Sequence, residues 1–247
     1  MRDRSRLHSE PHPSTGEPIG LRVDATPAQR PGPAVLQGRF GHLERLDASR
    51  HAADLWAAVA GHDRLWTYLA YGPFTDRDCF AGWLAERAAL ADPYYYAILD
   101  ASGRAIGVAT LMEIRPAMRV IEVGNIFYGA PLQRTPLATE AQYLLARYVF
   151  EELRFRRYEW KCNALNAASC RAAERFGFTF EGIFRSHMIT KGRNRDTAWF
   201  AMLETEWPAR KRAFERWLQP ENFDCDGRQR VSLGVLHRGI AGTAPGR

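Results

Sequence analysis

Metal and redox chemistry have little to work with in this chain. Its 247 residues include four cysteines, Cys79, Cys162, Cys170 and Cys225, none in CxxC spacing, and seven histidines, none in an HxxEH pattern. Scattered thiols of this kind read as reduced cysteines of a cytoplasmic protein, and no metal site is expected. No run of about 18 apolar residues occurs, so no membrane-spanning helix is expected. The charged start Met1–Arg6 has no apolar stretch behind it, so no secretory leader is expected. Nor do basic residues interleave with aromatics in the way that binds nucleic acid.

What is present is an ordinary globular composition, 46% hydrophobic and 25% charged, with a net charge of +6. The first 33 residues and residues 221–247 each carry a net +1, which leaves +4 on the middle of the chain. A modestly basic core suits an anionic ligand. Residues 1–34 are rich in Pro, Gly, Ser and Arg and read as an extended arm; 220–247 read as a loose tail; 35–219 form the folded domain.

Inside that domain, strands are expected at Phe40–Leu46, Tyr94–Leu99, Ala105–Ile114, Val120–Tyr128, Tyr158–Cys162, Phe178–Thr190 and Asp196–Leu203. Helices are expected at Ala52–Ala60 with Ser49 as cap, Thr75–Leu90 with Thr75 as cap, from Thr135 onward, from Asn166 to Phe176, and at Trp207–Leu218. The order β-α-α-β-β-β-α-β-α-β-β excludes a doubly wound parallel sheet. It predicts an α/β (α+β) domain with a mixed, mostly antiparallel twisted sheet of about seven strands and helices on both faces. Gly124, inside a strand, marks a bulge or a close backbone approach.

The run Gln133-Arg134-Thr135-Pro136-Leu137-Ala138-Thr139-Glu140 lies between a strand and a strongly amphipathic helix. Thr135 caps that helix and Pro136 opens it, which is a common helix start in any protein. It is also a phosphate site if the amides of Leu137, Ala138 and Thr139 stay free, with the Thr139 hydroxyl and Arg134 beside them. A second motif, Asn166-Ala167-Ala168-Ser169, is followed by Gly177-Phe178, with eleven residues from Asn to Gly.

Together these two motifs resemble the GNAT superfamily of N-acetyltransferases, in the branch related to the ribosomal-protein (RimJ/RimL-type) acetyltransferases. The resemblance spans Phe40–Trp207. It implies that acetyl-CoA is the co-substrate, its pyrophosphate held at Gln133, Arg134, Leu137, Ala138 and Thr139. It further implies that pantetheine lies as an added strand against the backbone of Ile126, Phe127 and Tyr128, beside Asn166, which also serves as a helix cap. Two departures stand out. Arg134 and Pro136 occupy the loop where glycines are usual, and Ala173 stands where many members carry a general-acid tyrosine.

For catalysis, the resemblance and the strand pattern nominate Glu122 as general base, with Glu113 second, and Ser169 or a water relay as general acid. The aromatic loop Trp66–Phe74 would line the acceptor site or form only an apolar cluster; Cys162 and Cys170 lie near the same place. The acceptor is a small amine or a protein N-terminal amine, with no membrane or nucleic-acid partner and a homodimer left open. A non-catalytic acyl-CoA-binding protein is the alternative.

Overall fold

Continuous and alternating apolar runs set down the strands, and 3.6-residue stripes between them set down the helices that cover the strands. The computed structural model describes residues 8–241. In chain order they form β1 (Ser9–Pro11), β2 (Pro18–Gly20), β3 (Leu36–Gln37), β4 (Gly41–Arg45), α1 (Ala48–Val59), α2 (Arg77–Ala88), β5 (Tyr94–Asp100), β6 (Ala105–Arg115), β7 (Val120–Tyr128), α3 (Pro136–Arg147), β8 (Arg157–Asn163), α4 (Ala167–Arg175), β9 (Thr179–Thr190), β10 (Arg193–Leu203), α5 (Trp207–Leu218) and α6 (Leu233–Ala241).

β1 and β2 make a small hairpin of their own; the other eight strands form one sheet in the order β3-β4-β5-β6-β7-β8-β10-β9. Every neighbouring pair is antiparallel except β7–β8, which is parallel. The count exceeds the expected seven by the two-residue edge strand β3, too short to leave an alternation in the sequence. Helices cover both faces. Leu144, Tyr158, Phe178, Phe200 and Phe214 belong to the apolar layer shared with α3, α5 and α6; Leu55, Trp66, Phe80, Leu84 and Phe127 belong to the layer under α1 and α2.

The caps differ from expectation in two places. Asp47, not Ser49, caps α1 and accepts the Ser49 amide at 2.9 Å. Asp76, not Thr75, caps α2 and accepts the Cys79 amide at 2.8 Å, while the Thr75 hydroxyl donates to Asp76. In both, a carboxylate stands at the position from which it reaches an orphan amide of the first turn, and a charged acceptor there also complements the helix dipole. α3 starts as the sequence predicts, with Thr135 as cap and Pro136 as its first residue. Glu140 is buried; its carboxylate accepts the Arg39 and Phe40 amides at 2.7 and 2.8 Å and ties the β3–β4 turn to the helix.

Two stretches read as loose make ordered contacts. Ala28 is buried, and its amide donates to Pro116 while that of Gln29 donates to Leu153. After α5, the Asn222 side chain binds the Trp217 and Val231 carbonyls and the Val231 amide, and α6 buries Leu233, Leu236 and His237. A few apolar residues and backbone hydrogen bonds dock these segments onto surfaces already built, a pattern without the periodicity that marks an element in sequence.

Candidate active site

The site begins with a strand pair that stops pairing. β7 and β8 run in parallel register from Val120↔Arg157 to Val123↔Trp160 and no further. On its other side β7 continues against β6, but with a shift between Thr110↔Gly124 and Val108↔Phe127, so Asn125 and Ile126 together face Ala109. This is a bulge on β7. Gly124 is part of it, as expected, because a Cβ there would collide with the Met112 sulfur. The left-handed residue, however, is Asn125, with φ 47°. Asparagine is among the residues that tolerate that region best.

The bulge turns β7 away from β8 and leaves a gap. The Gly124 carbonyl is taken by the Thr110 hydroxyl at 3.0 Å, and the Tyr128 carbonyl by the Gln133 side chain at 2.9 Å. Between them, no strand faces the gap side of Asn125–Phe127 among the described residues. Backbone groups so placed form a short edge that an extended ligand can pair with. The Phe127 side chain points elsewhere, into the aromatic cluster with Trp66, Phe80 and Trp83. Tyr128 is pinned beneath α3, its hydroxyl donating to the Ala138 carbonyl and accepting from Gln142.

Two cavities open from the gap. One, of about 850 Å³, runs along the start of α3 and is lined by Tyr128, Gln133, Arg134, Pro136, Ala138 and Thr139 together with Arg175, Trp217 and Arg228. The other, of about 860 Å³, lies on the opposite side and is lined by Arg64, Tyr68, Glu122, Asn125, Lys161, Cys162, Arg171 and Arg195 among others. They share Leu65, Ile126, Gln133, Trp160, Asn166, Ala168 and Ser169. The Asn166 side chain caps α4 by accepting the Ser169 amide at 3.1 Å, and the Ser169 hydroxyl accepts from the Trp160 indole at 3.0 Å. The Ser169 side chain also hydrogen-bonds the Cys162 thiol, so its hydroxyl lies between the Trp160 indole and that sulfur.

The start of α3 offers less than the sequence reading anticipates. The Thr135 hydroxyl accepts the Ala138 amide at 3.2 Å, so one of the three amides expected to be free is already used. Arg134 adopts φ 64°, a conformation that favours glycine. The Thr139 hydroxyl is buried and accepts from Arg175 at 3.0 Å. The Arg175 guanidinium lies 5.3 Å from the Phe176 ring centre and 5.2 Å from that of Trp217. It has no carboxylate partner among the described residues. Sequence reading missed Arg175, since nothing marks one arginine of α4 as different from its neighbours. It also missed Trp217 and Arg228, which come from outside the two motifs.

Glu122 is buried at 5% exposure and lies beside Glu159, its register partner on β8. Lys161 bridges them, 2.9 Å from Glu122 and 3.3 Å from Glu159. Burial pushes the Glu122 carboxyl up to about 7, a rise that Lys161 only partly offsets. Burial also acts on Glu159, but hydrogen bonding from Arg157 and the charges of Lys161, Arg115 and Arg157 hold it below the usual range. Of two neighbouring carboxylates, one is thus fully ionised and the other is poised near neutrality. Glu113, the second candidate base, is exposed and lines neither cavity.

The aromatic loop divides between its two readings. Trp66, Tyr71 and Phe74 pack with Phe80 and Trp83, whereas Thr67, Tyr68 and Leu69 line the cavity on the Glu122 side. The β9–β10 turn reaches across to the same loop, with the Lys191 ammonium donating to the Trp66 carbonyl at 2.9 Å. The Cys162 and Cys170 sulfurs lie 3.6 Å apart, and burial first of all lifts the Cys162 thiol to about 12, so it remains a protonated, poor nucleophile. Ala173 is fully buried.

Residues 42–179 match the family described as an acetyltransferase (GNAT) domain. The crystal structure of a GCN5-related N-acetyltransferase from Brucella melitensis is 47% identical, covers 87% of this chain and 99% of its own, and superposes with a TM-score of 0.85. The Bacillus subtilis protein named Probable N-acetyltransferase YjcK is 32% identical over 49% of this chain and 67% of its own length. A ribosomal L7/L12 α-N-protein acetyltransferase, RimL, in complex with coenzyme A is 20% identical over 69% of this chain and 98% of its own; its TM-score of 0.60 shows a shared fold.

Proposed function

This chain belongs to the GNAT acetyltransferase family, and we propose that it transfers an acetyl group from acetyl-CoA directly to a primary amine, both substrates bound together. The observation that carries this reading is the gap between β7 and β8, where two cavities of similar size meet at Ile126, Trp160 and Ser169. One cavity holds the cofactor and the other the amine, and the shared wall is where they react.

The α3-side cavity suits coenzyme A. The open backbone of Asn125–Phe127 matches an extended pantetheine, and Arg134, Arg175 and the start of α3 face the phosphates. When bound, acetyl-CoA supplies the activated acetyl group as a thioester. A backbone amide of Ile126 or Phe127 stabilises negative charge developing on the acyl oxygen, a preorganised donor of the oxyanion-hole kind. Glu122, on the amine side of the gap, takes a proton from the incoming ammonium, directly or through water, and the neutral amine then attacks the thioester carbonyl. Its raised pKa places it where a general base works near neutral pH. Ser169, on the wall shared by the two cavities, turns its hydroxyl proton from Cys162 toward the departing thiolate, or a water takes that part. No protein nucleophile takes part, in keeping with the protonated state of Cys162.

The usual tyrosine is replaced by the buried Ala173, which favours one second reading, a protein that binds acyl-CoA without turnover. Calorimetric titration with acetyl-CoA, followed by thiol release on an amine panel, separates the two. Micromolar binding with thiol release on at least one amine supports transfer. Binding with no release on any small amine or peptide N-terminus supports the sensor, and no binding sinks both.

A further inference from the structure

The cavity on the Glu122 side is rich in positive charge. Its charged lining includes Asp63 and Glu122 against Arg64, Lys161, Arg171 and Arg195. Lys161 is spoken for by Glu122 at 2.9 Å and Glu159 at 3.3 Å. The three arginines have no ion pair or side-chain hydrogen bond among the described residues, although acidic side chains are plentiful elsewhere on the surface. Arg195 is half-buried on β10, and its Nε is buried with no partner. A buried guanidinium nitrogen left unpaired costs free energy, so nothing among the described residues offsets this cation, whose residue lines the cavity. Arg64, on the short turn Asp63–Trp66, and Arg171, on α4, add exposed charge from separate elements. Three unpaired cations from three parts of the fold thus meet around one cavity.

We propose that the acceptor is an amine carrying an anionic group, a carboxylate or phosphate that Arg171 and Arg195 bind while the amine points to the shared wall near Glu122. This rests on the transfer reading and narrows it. Polyamines are excluded by the same field, since each added ammonium meets like charge. The aromatic loop does not oppose the assignment, because its largest rings turn into the core.

The test uses the full chain with saturating acetyl-CoA and matched amines: tyrosine against tyramine, phosphoethanolamine against ethanolamine, a Ser-Asp-Glu peptide against Ser-Gln-Gln, and spermidine. The expected result is a kcat/KM about tenfold or more higher for the anionic member of each accepted pair, carried by KM and shrinking as salt is added. The tyrosine, phosphoethanolamine and peptide arms identify which source of the anion is used. Arg171→Gln and, separately, Arg195→Gln should reduce that advantage about tenfold. Acetyl-CoA affinity, read on the same samples, reports folding, since neither residue lines the α3-side cavity. Equal rates within pairs, a preference for spermidine, or an advantage that survives both substitutions overturns the proposal while leaving acetyl transfer intact. Absence of turnover on the whole panel despite acetyl-CoA binding overturns the transfer reading and this one with it.

Discussion

In the proposed transfer, Glu122 is the residue on which the chemistry turns. Its carboxyl titrates near 7 because it is buried, with Lys161 as a partial counterweight. The ionised, proton-accepting form therefore grows as pH rises through neutrality. A plot of kcat/KM against pH is expected to climb with an apparent pKa of about 7 in the wild type. Glu122→Gln should lower the rate about a hundredfold and flatten that limb; a variant with an unchanged limb would assign the base elsewhere. Arg175 makes a second prediction at this scale. It is held by Thr139 and two aromatic rings, with no carboxylate among the described residues to neutralise it. Arg175→Gln should weaken acetyl-CoA binding about tenfold in calorimetry without altering the pH limb.

At the scale of elements, α6 carries a pH response of its own. His237 is buried against Phe214 with neither ring nitrogen partnered among the described residues. Burial, assisted by Arg210 and Arg175, pulls its pKa down to about 4. The unfolded chain, with a histidine near 6.5, takes up the proton first as pH falls. The stability tied to neutral His237 is thus complete above about 6.5 and lost progressively toward 4. Thermal melts from pH 7.5 to 5 should show a fall in midpoint that His237→Phe reduces; equal slopes would remove His237 as the cause. The elements themselves were largely readable. β7, α5 and the start of α3 fall where alternation, capping and Pro136 place them. The caps at Asp47 and Asp76 were harder to read, because a hydroxyl and a carboxylate compete over neighbouring positions. The Glu122–Lys161–Glu159 cluster was not readable at all. It depends on the parallel register of β7 and β8, which no local pattern encodes. Arg195 and Trp217 are in the same position, brought to the site from distant parts of the chain.

Across the whole molecule, the described parts of the segments flanking the family-matched region are not idle. The stretch after α5 brings Arg228 and Gln229 to the α3-side cavity, with Gln229 accepting from the Trp217 indole at 2.7 Å. Among the described residues, no helix is long and apolar enough to cross a membrane. The sheet is continuous in order but not in strength. Its two parts, β3 to β7 on one side and β8 to β10 on the other, are stitched by a ladder of four residue pairs, Val120–Val123 against Arg157–Trp160. Beyond that short seam the two strands part and leave an open crease. A ligand lying in the crease acts as a ninth strand over part of its length, so occupancy should be felt as stiffness. Hydrogen exchange at the amides of Asn125–Phe127 and of Cys162 should slow when acetyl-CoA is added, while exchange in β5 and β6 stays as it was. Uniform slowing over the whole sheet would mean that the crease is closed already and that binding only adds global stability.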